Sequence, residues 1–111
     1  MENNIGTRAI IKVEGKTSVA VYKHFDGYPE ATLDWLKVFN KDFAENREDD
    51  PDYKFAQLLR NSVRSEKEFG LDSSEYTGWG VVDLDENGNV DGWQQYEYTL
   101  KTDGSVEWIE V

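Results

Sequence analysis

One stretch decides how this chain is organised: Tyr22-Lys23-His24-Phe25-Asp26-Gly27-Tyr28-Pro29-Glu30, where strand-like sequence gives way to helix-like sequence. We expect positive φ at Gly27, because glycine alone adopts it without steric cost. The ring of Pro29 fixes φ near the helical value, so this residue suits the first position of a helix. The stretch therefore predicts a tight turn between a β-hairpin and a helix.

Two β-rich runs precede this turn, between Thr7 and Phe25, and they flank Glu14-Gly15-Lys16. This pattern predicts a first hairpin with a three-residue loop. The predicted pairs are Val13 with Thr17, Ile11 with Val19, and Ala9 with Val21.

Two helices are predicted after the turn, from Pro29 to about Asn46 and from Pro51 to about Phe69, because apolar residues recur at three- and four-residue spacing. In the first helix, Trp35 and Val38 widen the apolar stripe. The charged, proline-containing sequence between the two patterns predicts a loop.

Three strands are predicted in the rest of the chain, over 78–84, 90–100 and 105–111, with turns at Gly88 and Gly104. These turns pair Leu84 with Val90, Tyr98 with Trp108, and Leu100 with Val106. The face expected under the helices carries Val82, Leu84, Val90, Tyr96, Tyr98, Leu100, Val106 and Trp108. The outer face carries Trp79, Val81, Asp83, Asp91, Trp93, Gln95, Glu97, Thr99, Glu107, Ile109 and Val111. The prediction is one α+β domain over residues 1–111, in the order ββααβββ, with the helices on one face of an antiparallel sheet.

The composition excludes several classes of protein. The chain has a net charge of -11 and is 38% apolar, which is too hydrophobic for a disordered acidic tail. It contains no cysteine, so disulfides and thiolate metal sites are excluded. No signal peptide or membrane-spanning run is recognisable, which predicts a cytoplasmic protein without a membrane partner.

The acidic residues are concentrated in the predicted meander, since residues 70–111 contain ten acids and one base. Such a surface repels nucleic acid and attracts basic proteins, so it can imitate a phosphate backbone towards a nucleic-acid-binding protein. Acidity that only maintains solubility is the alternative. The predicted partner-binding residues are Trp79, Asp83, Asp91, Trp93, Glu97 and Glu107.

A second candidate site lies in the stretch Asp83 to Asp91, whose oxygen ligands follow the spacing of a calcium loop. The glutamate expected at position 12 is replaced by Gln94, and a plain β-turn also explains the glycine at Gly88. The predicted ligands are Asp83, Asp85, Asn87 and Asp91. A calcium-binding module or a small metal-dependent enzyme is therefore the alternative to a binding protein without cofactor.

The opening motif is a third candidate, since His24 near Asp26 suits a general base or a metal ligand. No nucleophile motif or catalytic triad can be assembled around it, so no catalytic residue is predicted. The competing interpretation is structural, with His24 and Asp26 hydrogen-bonded within the turn and capping the helix. The last strand adds a further prediction: if it lies at a sheet edge, Glu107, Ile109 and Val111 would contribute to a homodimer.

The first 30 residues resemble small phage and prophage proteins that open with a Thr-Arg strand, here Thr7-Arg8. The resemblance continues in the turn His24, Asp26, Gly27, Tyr28, Pro29 and Glu30. It implies a mobile-element origin, a compact α+β domain and action in the host cytoplasm. By analogy of class, it implies an accessory inhibitor of host nucleic-acid machinery, such as an anti-CRISPR-like protein.

Overall fold

The computed structural model describes residues 7–68, 78–90, 92 and 94–111, apart from the side chains of 63–68. Its elements follow the predicted order, and the α+β class is confirmed. Both helices begin at the predicted prolines. The elements are β1 Ala9–Val13, β2 Val19–Lys23, α1 Pro29–Asn46, α2 Pro51–Glu68, β3 Trp79–Asp83, β4 Tyr96–Leu100 and β5 Val106–Glu110.

The strands form one five-stranded sheet in the order β3-β2-β1-β4-β5. β4 runs parallel to β1, with Ala9 beside Tyr96 and Val13 beside Leu100. The prediction of a purely antiparallel sheet is therefore wrong, because the sheet is mixed. The physical reason lies in β1, where Ile10 and Ile11 are both fully buried although they point to opposite faces. A strand buried on both faces is typical of a sheet centre, where it needs a partner on each side.

β3 pairs with β2 and not with β4 as predicted, and Val81 lies beside Val21. The turn before β4 still forms: Gly88 has φ 78°, and the Asp85 N–H donates to the Asn89 carbonyl at 2.9 Å. The Leu84 N–H, however, donates to the Ser18 carbonyl at 2.8 Å, which continues the ladder towards β2. Local turn chemistry was predicted correctly, whereas the partner strand depends on the assembled sheet.

This pairing also changes the predicted faces of β3. Trp79 and Asp83 lie on the helix side of the sheet with Lys23 and Val19, and Val82 lies on the opposite side with Ala20. The prediction placed them the other way round, because it derived the face of β3 from pairing with β4.

The first hairpin has a longer loop than predicted, since Ile11 lies beside Val21 and not beside Val19. A register shift of two residues leaves every side chain on its face. The face of this hairpin that carries Ala9, Ile11, Val13 and Val21 lies under the helices.

The register of β4 and β5 is confirmed, with Tyr98 beside Trp108 and Leu100 beside Val106. Gly104 in their turn has φ 96°. Both helices pack on this face of the sheet. The buried cluster between the two layers contains Ala9, Ile11, Val13, Val21, Leu36, Phe55, Leu58, Tyr98 and Leu100.

Candidate functional site

The side chain of His24, just after β2, contacts its neighbours in the chain. Its Nδ1 lies 2.7 Å from the Tyr22 hydroxyl, and its ring contacts Phe25 edge-on at 4.5 Å between centroids. Among the described residues, no carboxylate is hydrogen-bonded to this imidazole. The predicted pairing of His24 with Asp26 is therefore not formed.

The backbone of the turn differs from the prediction at two points. Positive φ occurs at Asp26, at 56°, and not at Gly27. Gly27 is required by close packing instead, because an added Cβ would lie 2.7 Å from the Ala9 Cβ and 2.8 Å from the Thr7 carbonyl oxygen. Helix α1 has Tyr28 as its N-cap, without a side-chain capping bond, so capping by Asp26 is wrong.

Two hydrogen bonds attach this turn to the core. The Tyr98 hydroxyl donates to the Gly27 carbonyl at 2.6 Å, and the Thr32 hydroxyl donates to the Asp26 carbonyl at 2.8 Å. Glu30 follows on the exposed first turn of α1. The motif thus connects β2, β4 and the start of α1, which is a structural role.

Tyr98→Phe is expected to make the free energy of unfolding fall less steeply at high pH than it does in the parent protein. Burial raises the pKa of the Tyr98 phenol above its ordinary value of 10.0. As pH rises, the unfolded chain loses this proton before the folded chain does. The contribution of the Tyr98 phenol to the free energy of unfolding is therefore complete below about pH 10 and is lost as pH rises further. Urea unfolding between about pH 7 and pH 11 measures this slope. An unchanged slope in Tyr98→Phe would contradict the assignment.

The predicted calcium ligands are only partly covered by the described residues. Asp85 Oδ1 accepts the N–H groups of Asn87 at 2.8 Å and Asn89 at 2.9 Å, so this carboxylate stabilises its own turn. Asp83 lies on the edge strand β3, and Asp91 lies outside the described residues. Within the described ranges, no group of three His, Asp or Glu side chains could hold a metal ion. Calcium binding stays a prediction.

The predicted partner-binding residues that the structure describes are divided between the two faces of the sheet. Trp79 faces the helices, where its ring meets Trp35 edge-on at 6.1 Å. Glu97 lies on the opposite face beside β1, and Lys12 Nζ approaches its carboxylate at 3.3 Å. Glu107 lies on that same face, 4.0 Å from Lys101 Nζ. Trp93, like Asp91, lies outside the described residues.

A different feature is open to a partner, namely a groove of about 700 Å³ between α1 and α2. We call it the helix groove. Its floor is aromatic: the Phe39 and Phe43 rings are 6.2 Å apart, and Tyr53 lies 6.2 Å beyond Phe43. The lining residues are Asp34, Trp35, Val38, Phe39, Asp42, Phe43, Asn46, Arg47, Tyr53, Gln57 and Asn61.

Apolar surface remains exposed in the helix groove. Val38 is 71% exposed and Tyr53 is 41% exposed. Neither side chain belongs to the buried core cluster, to which α1 contributes Leu36 and α2 contributes Leu58. An open patch of this kind is typical of a surface that binds another molecule.

The charges at the groove are predominantly acidic. Asp34 and Asp42 are exposed on α1, and neither forms an ion pair with any residue that the structure describes. Arg47, a base in the lining, stacks on the Tyr53 ring at 3.6 Å and lies 3.9 Å from an Asp50 carboxylate oxygen. The described lining contains no His, Cys, Ser or Lys. The groove therefore offers aromatic contact area and negative charge.

Sequence reasoning did not identify this groove, although its signal was present. The apolar stripe of α1 was wider than one buried face requires, because Trp35 and Val38 lie beside the core positions. The excess width forms one wall of the groove. The second wall needs α2 beside it, and no local pattern predicts that arrangement.

No family model, curated protein or solved structure matches the chain. The resemblance of the turn to phage proteins therefore stays a prediction. None of the helices in the described part is both long and apolar enough to span a bilayer.

Proposed function

We propose that this protein is a non-enzymatic binding protein that captures a basic, amphipathic helix of a partner protein in the helix groove. The observation that supports this most directly is the aromatic floor, in which Tyr53 is 41% exposed, next to the exposed carboxylates of Asp34 and Asp42. Aromatic anchors within a charged rim are characteristic of protein-binding surfaces.

The dimensions of the groove favour a helix as the bound segment. Trp35, Phe39 and Phe43 recur every four residues along α1. At 1.5 Å per residue they cover about 12 Å, which is roughly two helical turns. A helix with apolar residues at i, i+3, i+4 and i+7 presents a matching stripe.

Electrostatics favour a basic partner. The chain carries a net charge of -11, so it attracts cations over a distance and repels nucleic acid. Nucleic-acid-binding proteins are basic and belong to the expected partner class. With the resemblance of the turn to phage proteins, this leads us to propose an accessory inhibitor that acts on host nucleic-acid machinery in the cytoplasm.

A designed helical peptide of lysine and leucine, with one apolar stripe, is expected to bind with a Kd of about 10⁻⁵ M, measured by titration calorimetry. Two peptides serve as controls: one with the same composition but scrambled order, and one with glutamate in place of lysine. The affinity should fall at least about tenfold between about 0.05 M and 0.5 M salt, because exposed charges are screened.

Charge reversal locates the site. Asp34→Lys with Asp42→Lys is expected to weaken peptide binding by about 2 kcal/mol or more, since both rim charges become repulsive. Asp83→Lys with Glu86→Lys changes the net charge equally at exposed positions on β3 and its following turn, and should weaken binding far less. Equal losses in the two double variants would contradict the groove as the binding site.

A further inference from the structure

The outer edge of β5 carries unused backbone groups. In the turn to β4, the Lys101 N–H donates to the Ser105 carbonyl at 2.9 Å, and at the other end the Val111 N–H donates to the Gln95 carbonyl at 2.8 Å. Hydrogen-bonded pairs alternate along an antiparallel ladder, so residues 105, 107, 109 and 111 direct their backbone groups to β4.

The backbone groups of Val106, Trp108 and Glu110 consequently point away from the sheet. Among the strands that the structure describes, β5 is the last in the sheet order, and β4 is its one partner. In the part of the chain that the structure describes, no hydrogen bond reaches these N–H and C=O groups. Such an edge is a template for another strand.

The side chains along this edge are unusually apolar for an exposed strand. Trp108 is 43% exposed, Ile109 is 59% exposed and Val111 is 65% exposed. Trp108 packs on Tyr98 at 6.5 Å between ring centroids, so its ring is held in place at the edge. A preorganised aromatic side chain contributes contact area at a low entropic cost.

We propose that a second copy of this chain binds here, with the two β5 strands paired antiparallel about a two-fold axis at Trp108. The two five-stranded sheets then form one continuous sheet, with the helices of both copies on the same side. This homodimer is independent of the helix groove.

The sequence of β5 selects this register over its neighbours. With Trp108 opposite its own copy, Val106 lies opposite Glu110 and Glu107 lies opposite Ile109, so no acid faces an acid. The outward backbone groups then form six hydrogen bonds, two for each pair of residues that exchanges them. Registers centred on Glu107 or Glu110 place identical carboxylates directly opposite each other, which is destabilising. Within β5, the register centred on Ile109 pairs only Trp108 with Glu110, which gives four hydrogen bonds for the two symmetry-related pairs.

The charge of the chain gives this dimer a characteristic salt dependence. Two copies that each carry a charge of -11 repel one another, and salt screens this repulsion. The dimer is therefore expected to strengthen as salt is added. Binding of a basic helix in the groove is expected to weaken under the same conditions, so the two proposals fail or succeed separately.

Sedimentation equilibrium of the full chain tests the association. We expect a dimer with a Kd of about 10⁻⁴ M in about 0.15 M salt, and a lower Kd in about 0.5 M salt. Glu110→Pro removes an outward N–H without affecting the ladder to β4, and should raise the Kd by about tenfold. Glu110→Gln is the matched control, because it removes the same charge and keeps the N–H. A monomer at about 1 mM in both salts, or equal effects of the two variants, would overturn the proposal.

Disulfide trapping tests the register, and the absence of native cysteine makes it specific. In the proposed dimer, residue 107 of one copy lies opposite residue 109 of the other. A mixture of Glu107→Cys and Ile109→Cys chains should therefore cross-link to each other faster than either cross-links to itself. Faster self-linking of Ile109→Cys would indicate the register centred on that residue and would refute the axis at Trp108.

Discussion

Gly27→Ala is expected to lower the free energy of unfolding by about 3 kcal/mol, the upper range for an inserted methyl group in a packed site. The new Cβ would lie 2.7 Å from the Ala9 Cβ and 3.0 Å from the Ala9 backbone nitrogen. The turn has no room to move away, because the Gly27 N–H donates to the Thr7 carbonyl at 2.8 Å and the Gly27 carbonyl accepts the Tyr98 hydroxyl. Relief of the contact would break one of these bonds.

Gly80→Ala is the matched control for this prediction. Gly80 lies on β3, and a Cβ built there meets no atom within 4 Å. The same chemical change should therefore leave stability unchanged or slightly higher, since alanine restricts the unfolded chain. Urea unfolding of both variants makes the comparison. A loss below about 1 kcal/mol in Gly27→Ala would show that the turn yields more easily than its contacts indicate.

Asn40→Leu is expected to cost about 3 kcal/mol, because it leaves a buried ammonium group without its side-chain acceptor. Lys54 is almost completely buried beside Asn40, and its Nζ donates to Asn40 Oδ1 at 2.8 Å. The Asn40 amide in turn donates to the Lys101 carbonyl at 2.9 Å and to the Ser105 carbonyl at 2.7 Å. This one side chain therefore connects α1, α2 and the turn between β4 and β5.

The double variant Asn40→Leu with Lys54→Met tests that explanation. Replacing both polar partners by apolar groups of similar size should recover more than half of the loss, because no charge is then left buried and unpaired. A double variant as unstable as the sum of the two single variants would indicate cavities or strain instead.

The pH dependence of Asn40→Leu provides a second check. Burial lowers the pKa of Lys54 below its ordinary value of 10.5, so the unfolded state keeps a proton that the native state releases. Stability from this group therefore rises as pH increases through the native pKa towards 10.5. The loss of free energy of unfolding caused by Asn40→Leu should become smaller between about pH 7 and pH 9.5. A loss that stays constant over this range would exclude the Lys54 ammonium group as its cause.

The features that could be predicted from the sequence are those that depend on residues close together in the chain. Both helices begin at the prolines that the pattern indicated, because Pro29 and Pro51 have the backbone angles of a first helical turn. The register of β4 and β5 followed from the turn at Gly104, since a short turn determines which residues lie opposite each other. The acidic character of the chain and its lack of cysteine are likewise properties of composition.

Features that need two distant segments were decided only by the tertiary structure. β4 pairs with β1 and not with β3, because the central strand β1 needs a partner on each side. β4 runs parallel to β1, and both helices lie between these two strands in the chain. The same choice places Lys12 against Glu97, so the charge separation along the sequence is partly neutralised in space. The role of Gly27 depends on the contact with Ala9, eighteen positions earlier in the chain, and the helix groove exists only because α2 lies beside α1. Backbone propensity acts over a few residues, whereas close approach and strand choice are set by the packing of the whole core.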